Sequence, residues 1–481
     1  MSKTARAPAR TALRLTPRVF ELPRALALPE ILSRLRGRRA LAALDSAAGA
    51  PRRFGLAAFD PLVAFPAGEA PASLAELRAS LARLEPAGGE APPGPFHGGF
   101  VGALAYDLGC EGERAPSAAP EPWGFPPIAG GLYCDFVVRD EREARAWLVL
   151  GDDPGDGRPS VAARREELSE LLLAGPDPRG PACASGPLVR HVAPEEHRRR
   201  IERTRAWIAA GDLYQANLAH RLTCPVSGHP LDLYLRLREA NPAPYMGYLE
   251  WAGAPRGALL SSSPELLLEH DGRLARTRPI KGTAPRGRTE AQDRALAAAL
   301  LASGKDRAEL AMIVDLERND LGRLARPGRV RVEGFPTLAS YARVHHLMAD
   351  VVAEPRPGVT ALDLLGALFP GGSVTGAPKL AAMERIAELE GEGRGFFCGA
   401  LGFADARGRG IFNVLIRTLL WRPRAGAPGS GEVSFRVGGG ITWVSDAAAE
   451  ERETLDKAAG MVAALGLRCD GGGEDGGDGR P

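Results

Sequence analysis

An α+β fold built on large antiparallel sheets is what this 481-residue chain predicts. Three observations carry that expectation. Apolar and polar residues alternate along many short runs bounded by turn residues, as in strands with one face inward. Between some of these runs lie longer segments with apolar residues at helical spacing. Strand runs also follow one another through short turns, which does not read as a doubly wound parallel sheet.

The elements follow in order. Residues 1–15 (MSKTARAPARTALRL) are acid-free and Arg-rich without an apolar core, so they read as a disordered basic arm and not a secretory leader. Residues 16–150 are expected to form an N-terminal domain in which ALAALDSA, RFGLAAFDPLVAF and GGLYCDFVVRDEREARAWLVLG supply antiparallel strands. Residues 151–186 hold the turn-rich GDDPGDGRPS, the amphipathic helix VAARREELSELLLAG and the linker PDPRGPACASGP.

Residues 187–469 are expected to form a second domain. Here APEEHRRRIERTRAWIAAG has Pro near a helix start and Gly at its end. LYQANLAHRLTCPV reads as a strand, PLDLYLRLREANP as a helix stopped by Asn-Pro, and ALLSSSPELLLEHDGRLARTRPI as a hairpin around HDGR. Two helices broken at Ser-Gly follow in TEAQDRALAAALLASGKDRAELAMIVDLERNDLGRLA, then the extended RVRVEGFPTLASYARVHHLMADVVAEP. GAPKLAAMERIAELEG is a helix entered from a Gly-rich loop. GFFCGALGFADARGRGIFNVLIRTLLWRP and GEVSFRVGGGITW are strands, and AAAEERETLDKAAGMVAALG is the last helix. Residues 470–481, all but lacking apolar side chains, read as a disordered Gly/Asp tail.

Composition narrows the function. A 44% hydrophobic, 25% charged chain can bury a large core, and a formal charge of +2 gives no field to recruit nucleic acid or anionic membrane. Six scattered cysteines show no zinc or C-x-x-C spacing, so a reduced, cytoplasmic protein is expected.

Several residues could carry chemistry. Asp306 and Glu309, and again Glu450 and Glu453, stand three apart on helices, so two helices meeting across a cleft would present carboxylates fit for Mg²⁺. Solvated helix acids are the plainer reading. FPGGSVTGAPK sets Gly371, Gly372, Ser373 and Gly376 before a helix, a loop suited to an anion or simply a turn. RVGGGITW places Gly439 and Gly440 where a ligand could approach the backbone. His345 and His346 should point to opposite faces of a strand. Glu265 follows Ser-Pro beside an apolar run that would raise its pKa, as a general acid needs. Lys281, within TRPIKGTAPRG, reads alone as a surface cation, a phosphate clamp or a nucleophile.

Taken together, GDLYQANLAHR, SSSPELL, RPIKGTAPRG, DRAELAMIVDLERNDLGR, VHHL, FPGGSVTGAPK, CGALGF, FNVLIRTL, GGGITW and EERETLDKA resemble, in this order, the chorismate-utilising enzymes. The resemblance spans roughly residues 190 to 465. It implies antiparallel sheets packed as a sandwich with helices outside. Within the family, aminodeoxychorismate synthases are similar in carrying PIKGT where anthranilate synthases carry PIAGT. Lys281 is thereby implied to attack C-2 of chorismate while Glu265 protonates the departing 4-hydroxyl. Ammonia then enters at C-4 and expels the lysine. Gln215 stands where the water-adding isochorismate synthases carry a lysine base.

The resemblance also implies Mg²⁺ on Glu309, Glu450 and Glu453 with Asp306 behind them. It places His346 in the cleft, and Arg417, Lys457, Gly439, Gly440, Ser373 and Thr283 at the substrate. Ala349 and Val444 depart from the family pattern, where Ser and an acid are common. No glutaminase nucleophile elbow occurs in the sequence, so a separate glutamine amidotransferase subunit is the implied partner. The product expected is 4-amino-4-deoxychorismate, on the route to p-aminobenzoate and folate. Anthranilate synthase component I is the alternative.

Overall fold

The computed structural model describes residues 12–467 apart from 25, 48–52, 67–71, 87, 111–118, 153–156, 175–179, 181, 252, 342–343 and 428. Alternation builds strands where expected. Among the described residues they form one sheet of fourteen strands and one of ten. Pairing is antiparallel throughout, except where Leu13–Glu21 runs parallel to Leu84–Pro86.

The expected boundary between two domains is not a boundary in the fold. Ala42–Asp45 pairs with Tyr245–Trp251 and joins both halves of the chain in the larger sheet. Gly99–Leu104 pairs with Ala400–Asp405 and does the same in the smaller one. The basic arm also ends earlier than expected. Leu13–Glu21 is a strand whose ladder against Arg145–Asp152 satisfies its backbone. The expected tail, 470–481, and residues 1–11 fall outside the described residues.

Period-two side chains set the layers. Val101, Ala103, Leu401 and Phe403 of one sheet meet Ala42, Leu56 and Ala58 of the other in a shared core. Their neighbours Phe100, Leu104, Ala400 and Ala404 turn outward, beneath the helices Gly304–Gly322 and Ala361–Leu368. On the far side, Ala43 and Ala57 turn toward the helices Leu28–Arg34, Val161–Leu173, Pro230–Ala240 and Ala447–Ala464. Two sheets therefore face each other, with helices outside both. The short helices Leu28–Arg34, Leu74–Leu81 and Ala361–Leu368 are additions to the sequence expectation.

Helix starts are fixed by side-chain caps, which aim the residues that follow. Ser303 accepts a hydrogen bond from the Asp306 amide at 3.3 Å. Asp446 accepts one from the Ala449 amide at 2.8 Å. Asp306 and Glu450 thus fall in first turns. No helix among the described residues is long and apolar enough to cross a membrane.

Candidate active site

A cleft of about 690 Å³ gathers most of the residues singled out in the sequence, lined among others by Glu265, Lys281, Thr283, Asp306, Glu309, His346, Ser373, Arg417, Gly440, Glu450, Glu453 and Lys457, with Gly439 outside the lining. They come from eight separate elements or loops, so only the fold brings them together.

Lys281 reaches the cleft through a backbone irregularity. It lies opposite Leu347 while Thr283 lies opposite His346, so Gly282 is an extra residue in the ladder. Gly282 has φ of 73°, a conformation that glycine adopts without penalty. The Lys281 ammonium donates to the Ser373 carbonyl at 3.2 Å. Burial lowers its pKa, against the pull of Glu309 and Glu265. A lysine so placed holds a larger fraction of free amine at neutral pH than a solvated one.

Glu265 is 4% exposed. Burial raises its pKa to about 7, opposed by the Ser373 hydroxyl, Lys281 and Arg417. Its amide donates to the Ser263 hydroxyl at 3.2 Å, and that hydroxyl donates to the Val414 carbonyl at 2.5 Å. The carboxyl is thereby held at the head of a strand, able to carry a proton near pH 7.

Alternation divides the two histidines as expected. His345 turns away from the cleft, to Ser340 at 2.8 Å and Asp293 at 3.0 Å. His346 Nδ1 lies 3.0 Å from the Thr283 hydroxyl and 3.3 Å from the Gly282 carbonyl. A carbonyl only accepts, which assigns the ring proton to Nδ1. The buried Nε2 has no protein partner, leaving its lone pair for a ligand donor. Burial and then Arg417 lower the ring's pKa to about 3, so the imidazole is neutral.

Arg417 adopts φ of 51°, a left-handed backbone that costs about 1 kcal/mol or more for a non-glycine residue. Lys457 donates to the Gly438 carbonyl at 3.0 Å and pairs with Glu453 at 2.9 Å. A methyl placed on Gly439 would sit 3.3 Å from a Glu450 carboxylate oxygen and 3.5 Å from Lys457 Nζ, so glycine keeps this wall open. One on Gly440 would overlap the Gln215 amide and come within 3.3 Å of Lys281 Nζ.

The carboxylates of the two helices face each other but do not form a finished cage. Among the described residues no three acidic, histidine or cysteine side chains converge as a metal-binding group. Lys305 instead bridges the helices, 3.9 Å from Glu309 and 4.0 Å from Glu450. Burial raises the pKa of both glutamates. Burial also pushes Glu453 upward, but Lys457 and Lys305 outweigh it and leave the group below its ordinary value. Glu309 and Glu450 are hard oxygen donors of the kind a divalent cation takes, held apart here on one half-exposed ammonium.

The Gly-rich loop differs from an anion cradle. Gly376 pairs with Ala216 in the sheet, and the helix begins only at Lys379. The loop offers Lys281 a carbonyl, not an amide. From behind, Arg394 fixes it by donating to the Val374 carbonyl at 3.0 Å and the Asn217 carbonyl at 2.6 Å. Asn217, Tyr341, Lys305 and Arg436 also line the cleft and were not singled out from sequence. Only Lys305 carried a signal, four residues before Glu309 on one helix face.

Comparison with known proteins places the chain. Residues 43–463 match the family described as chorismate binding enzyme. The anthranilate synthase component 1 of Streptomyces coelicolor is 39% identical over 87% of this chain and 81% of its own length. The aminodeoxychorismate synthase component 1 of Bacillus subtilis is 36% identical over 77% of this chain and 78% of its own. The crystal structure of anthranilate synthase component I from Streptococcus pneumoniae superposes with a TM-score of 0.72 at 29% identity, covering 86% of this chain and 93% of that one. The sandwich, the cleft and these matches together assign the chain to the chorismate-binding enzymes, of the anthranilate synthase and aminodeoxychorismate synthase type.

Proposed function

We propose that this enzyme is the chorismate-aminating component of an aminodeoxychorismate synthase, acting with Lys281 as nucleophile. The observation that carries the reading is a half-buried lysine with a lowered pKa in the same cleft as a buried acid whose pKa is about 7. Hydroxide leaves badly unless protonated, and Glu265 is placed to supply that proton. The Lys281 amine forms a bond to C-2 as the bond from C-4 to oxygen breaks and water departs. Ammonia then bonds to C-4 as the C-2 to lysine bond breaks, returning the amine. Two displacements in place of one leave nitrogen where oxygen stood.

Arg417 and Lys457 supply cations for substrate carboxylates, and the Arg fork suits a two-oxygen grip. His346 Nε2 and the Thr283 hydroxyl offer polar contacts above the ring. Glu309, Glu450 and Glu453, with Asp306 behind them, would hold Mg²⁺ once Lys305 swings aside. The ion would neutralise and orient a substrate carboxylate. Ammonia is expected from a separate glutamine-hydrolysing subunit, as "component 1" in the relatives' names implies a second component.

A second reading, anthranilate synthase, is favoured by the 39% identity to the Streptomyces coelicolor protein. In that reaction Lys281 forms no bond to substrate. Incubation with chorismate, ammonium and Mg²⁺ separates the two. Anthranilate is fluorescent and accumulates directly, whereas aminodeoxychorismate yields p-aminobenzoate only when a lyase is added. Fluorescent anthranilate as the sole product would overturn the first reading.

A further inference from the structure

Lys305 stands where two local rules disfavour it. It is the second residue of the helix Gly304–Gly322, at the positive end of the helix dipole, where a cation is destabilising. It also precedes Glu309 by four positions, the weaker of the two orders for an ion pair along a helix. The contact with Glu309, at 3.9 Å, offsets part of this. The rest comes from the facing helix Ala447–Ala464, whose Glu450 lies 4.0 Å from the same ammonium. A residue that breaks local preference and is compensated across a cleft marks a functional position.

The three partners differ in freedom. Glu309 and Glu450 have side chains only 16% and 9% exposed, while Lys305 is 50% exposed and reaches them from the solvent side. Ser445 donates to Glu450 Oε1 at 2.6 Å, the oxygen that Lys305 also approaches. The charge of Lys305 acts on Glu453 as well. The carboxylates are therefore held, and the ammonium on its four-carbon stem is free to leave. Exposed pairs of this kind each shift an equilibrium by only about 1.5- to 5-fold. Such contacts offset the repulsion between the glutamates and still give way to a stronger cation.

We propose that Lys305 is an internal counter-ion: it neutralises Glu309 and Glu450 in the metal-free enzyme and withdraws before Mg²⁺ binds them, so it sets the affinity for the ion. This rests on the Mg²⁺ reading above. The exchange also selects by charge. A tethered ammonium is present at high effective concentration, so Na⁺ or K⁺ gains nothing by replacing it. A divalent ion brings a second charge to the same oxygens.

The test titrates the full-length enzyme, stripped with chelator and dialysed, with Mg²⁺ alone, followed by calorimetry and by the thermal midpoint. Lys305→Met keeps most of the apolar stem and loses the charge, whereas Lys305→Arg keeps the charge. Lys305→Met should bind Mg²⁺ roughly 10-fold more tightly than wild type, the effect of removing two exposed pairs, and Lys305→Arg should stay within about 2-fold of wild type. Without metal, the midpoint of Lys305→Met should fall below wild type at low salt, because the glutamates then repel each other, and Mg²⁺ should restore it. Equal Mg²⁺ affinity in Lys305→Met and wild type overturns the exchange. Weaker binding in Lys305→Met does so too, since it would make Lys305 a support for the ion. Absence of Mg²⁺ binding in all three proteins overturns the Mg²⁺ reading itself, and the exchange with it.

Discussion

The two halves of this chain share both sheets but not the chemistry. Residues before 150 supply strands to each sheet and much of the apolar layer between them. Every residue lining the cleft, by contrast, lies at or beyond Asn217. The inter-sheet layer is closed by aromatic contacts such as Phe96 on Phe136, centroids 5.0 Å apart. The cleft keeps unpaired polar atoms, a strained arginine and acids pushed above their usual range. One region spends its side chains on stability and the other tolerates strain for function. Substitutions in the two should therefore separate activity from stability.

The largest expected effect belongs to the Mg²⁺ proposed for Glu309, Glu450 and Glu453. Removing Mg²⁺ with excess chelator should abolish turnover, and added Mg²⁺ should restore it. Undiminished rates in chelator would remove the metal from the account. Glu265→Gln comes next, with a fall in kcat of about 10²–10⁴-fold. In wild type, kcat/KM should decline as pH rises through about 7, because Glu265 must carry its proton to act. The variant's profile should lack that limb, and an identical limb would clear Glu265 of the role.

The inter-sheet layer should respond the other way. Phe136→Ala, at a site 1% exposed, should cost about 3–5 kcal/mol by denaturant unfolding while kcat per folded molecule stays the same. The smallest effect joins the two regions' rules. Gly282→Ala must place a methyl 3.0 Å from Asp306 at positive φ, costing about 1 kcal/mol and displacing Lys281.

How much of this was legible in sequence follows from the range of each signal. Local alternation and capping residues foretold most strands and long helices, including the Ser303 break and the Gly211 stop. The mixing of halves was hidden, because pairing Ala42–Asp45 with Tyr245–Trp251 depends on contacts two hundred residues apart. The short helix Leu28–Arg34 spans too few turns to display a period. In the site, Lys281 looked like surface until ordered motifs placed it. Lys305 was missed because a solvated i,i+4 pair and a cross-helix bridge read alike in one dimension.

The central claim is that Lys281 decides where nitrogen lands. Lys281→Ala, assayed with chorismate, ammonium, Mg²⁺ and a lyase, tests it directly. The account predicts that p-aminobenzoate formation disappears while the thermal midpoint stays within a few degrees of wild type. Formation of p-aminobenzoate at the wild-type rate would contradict it.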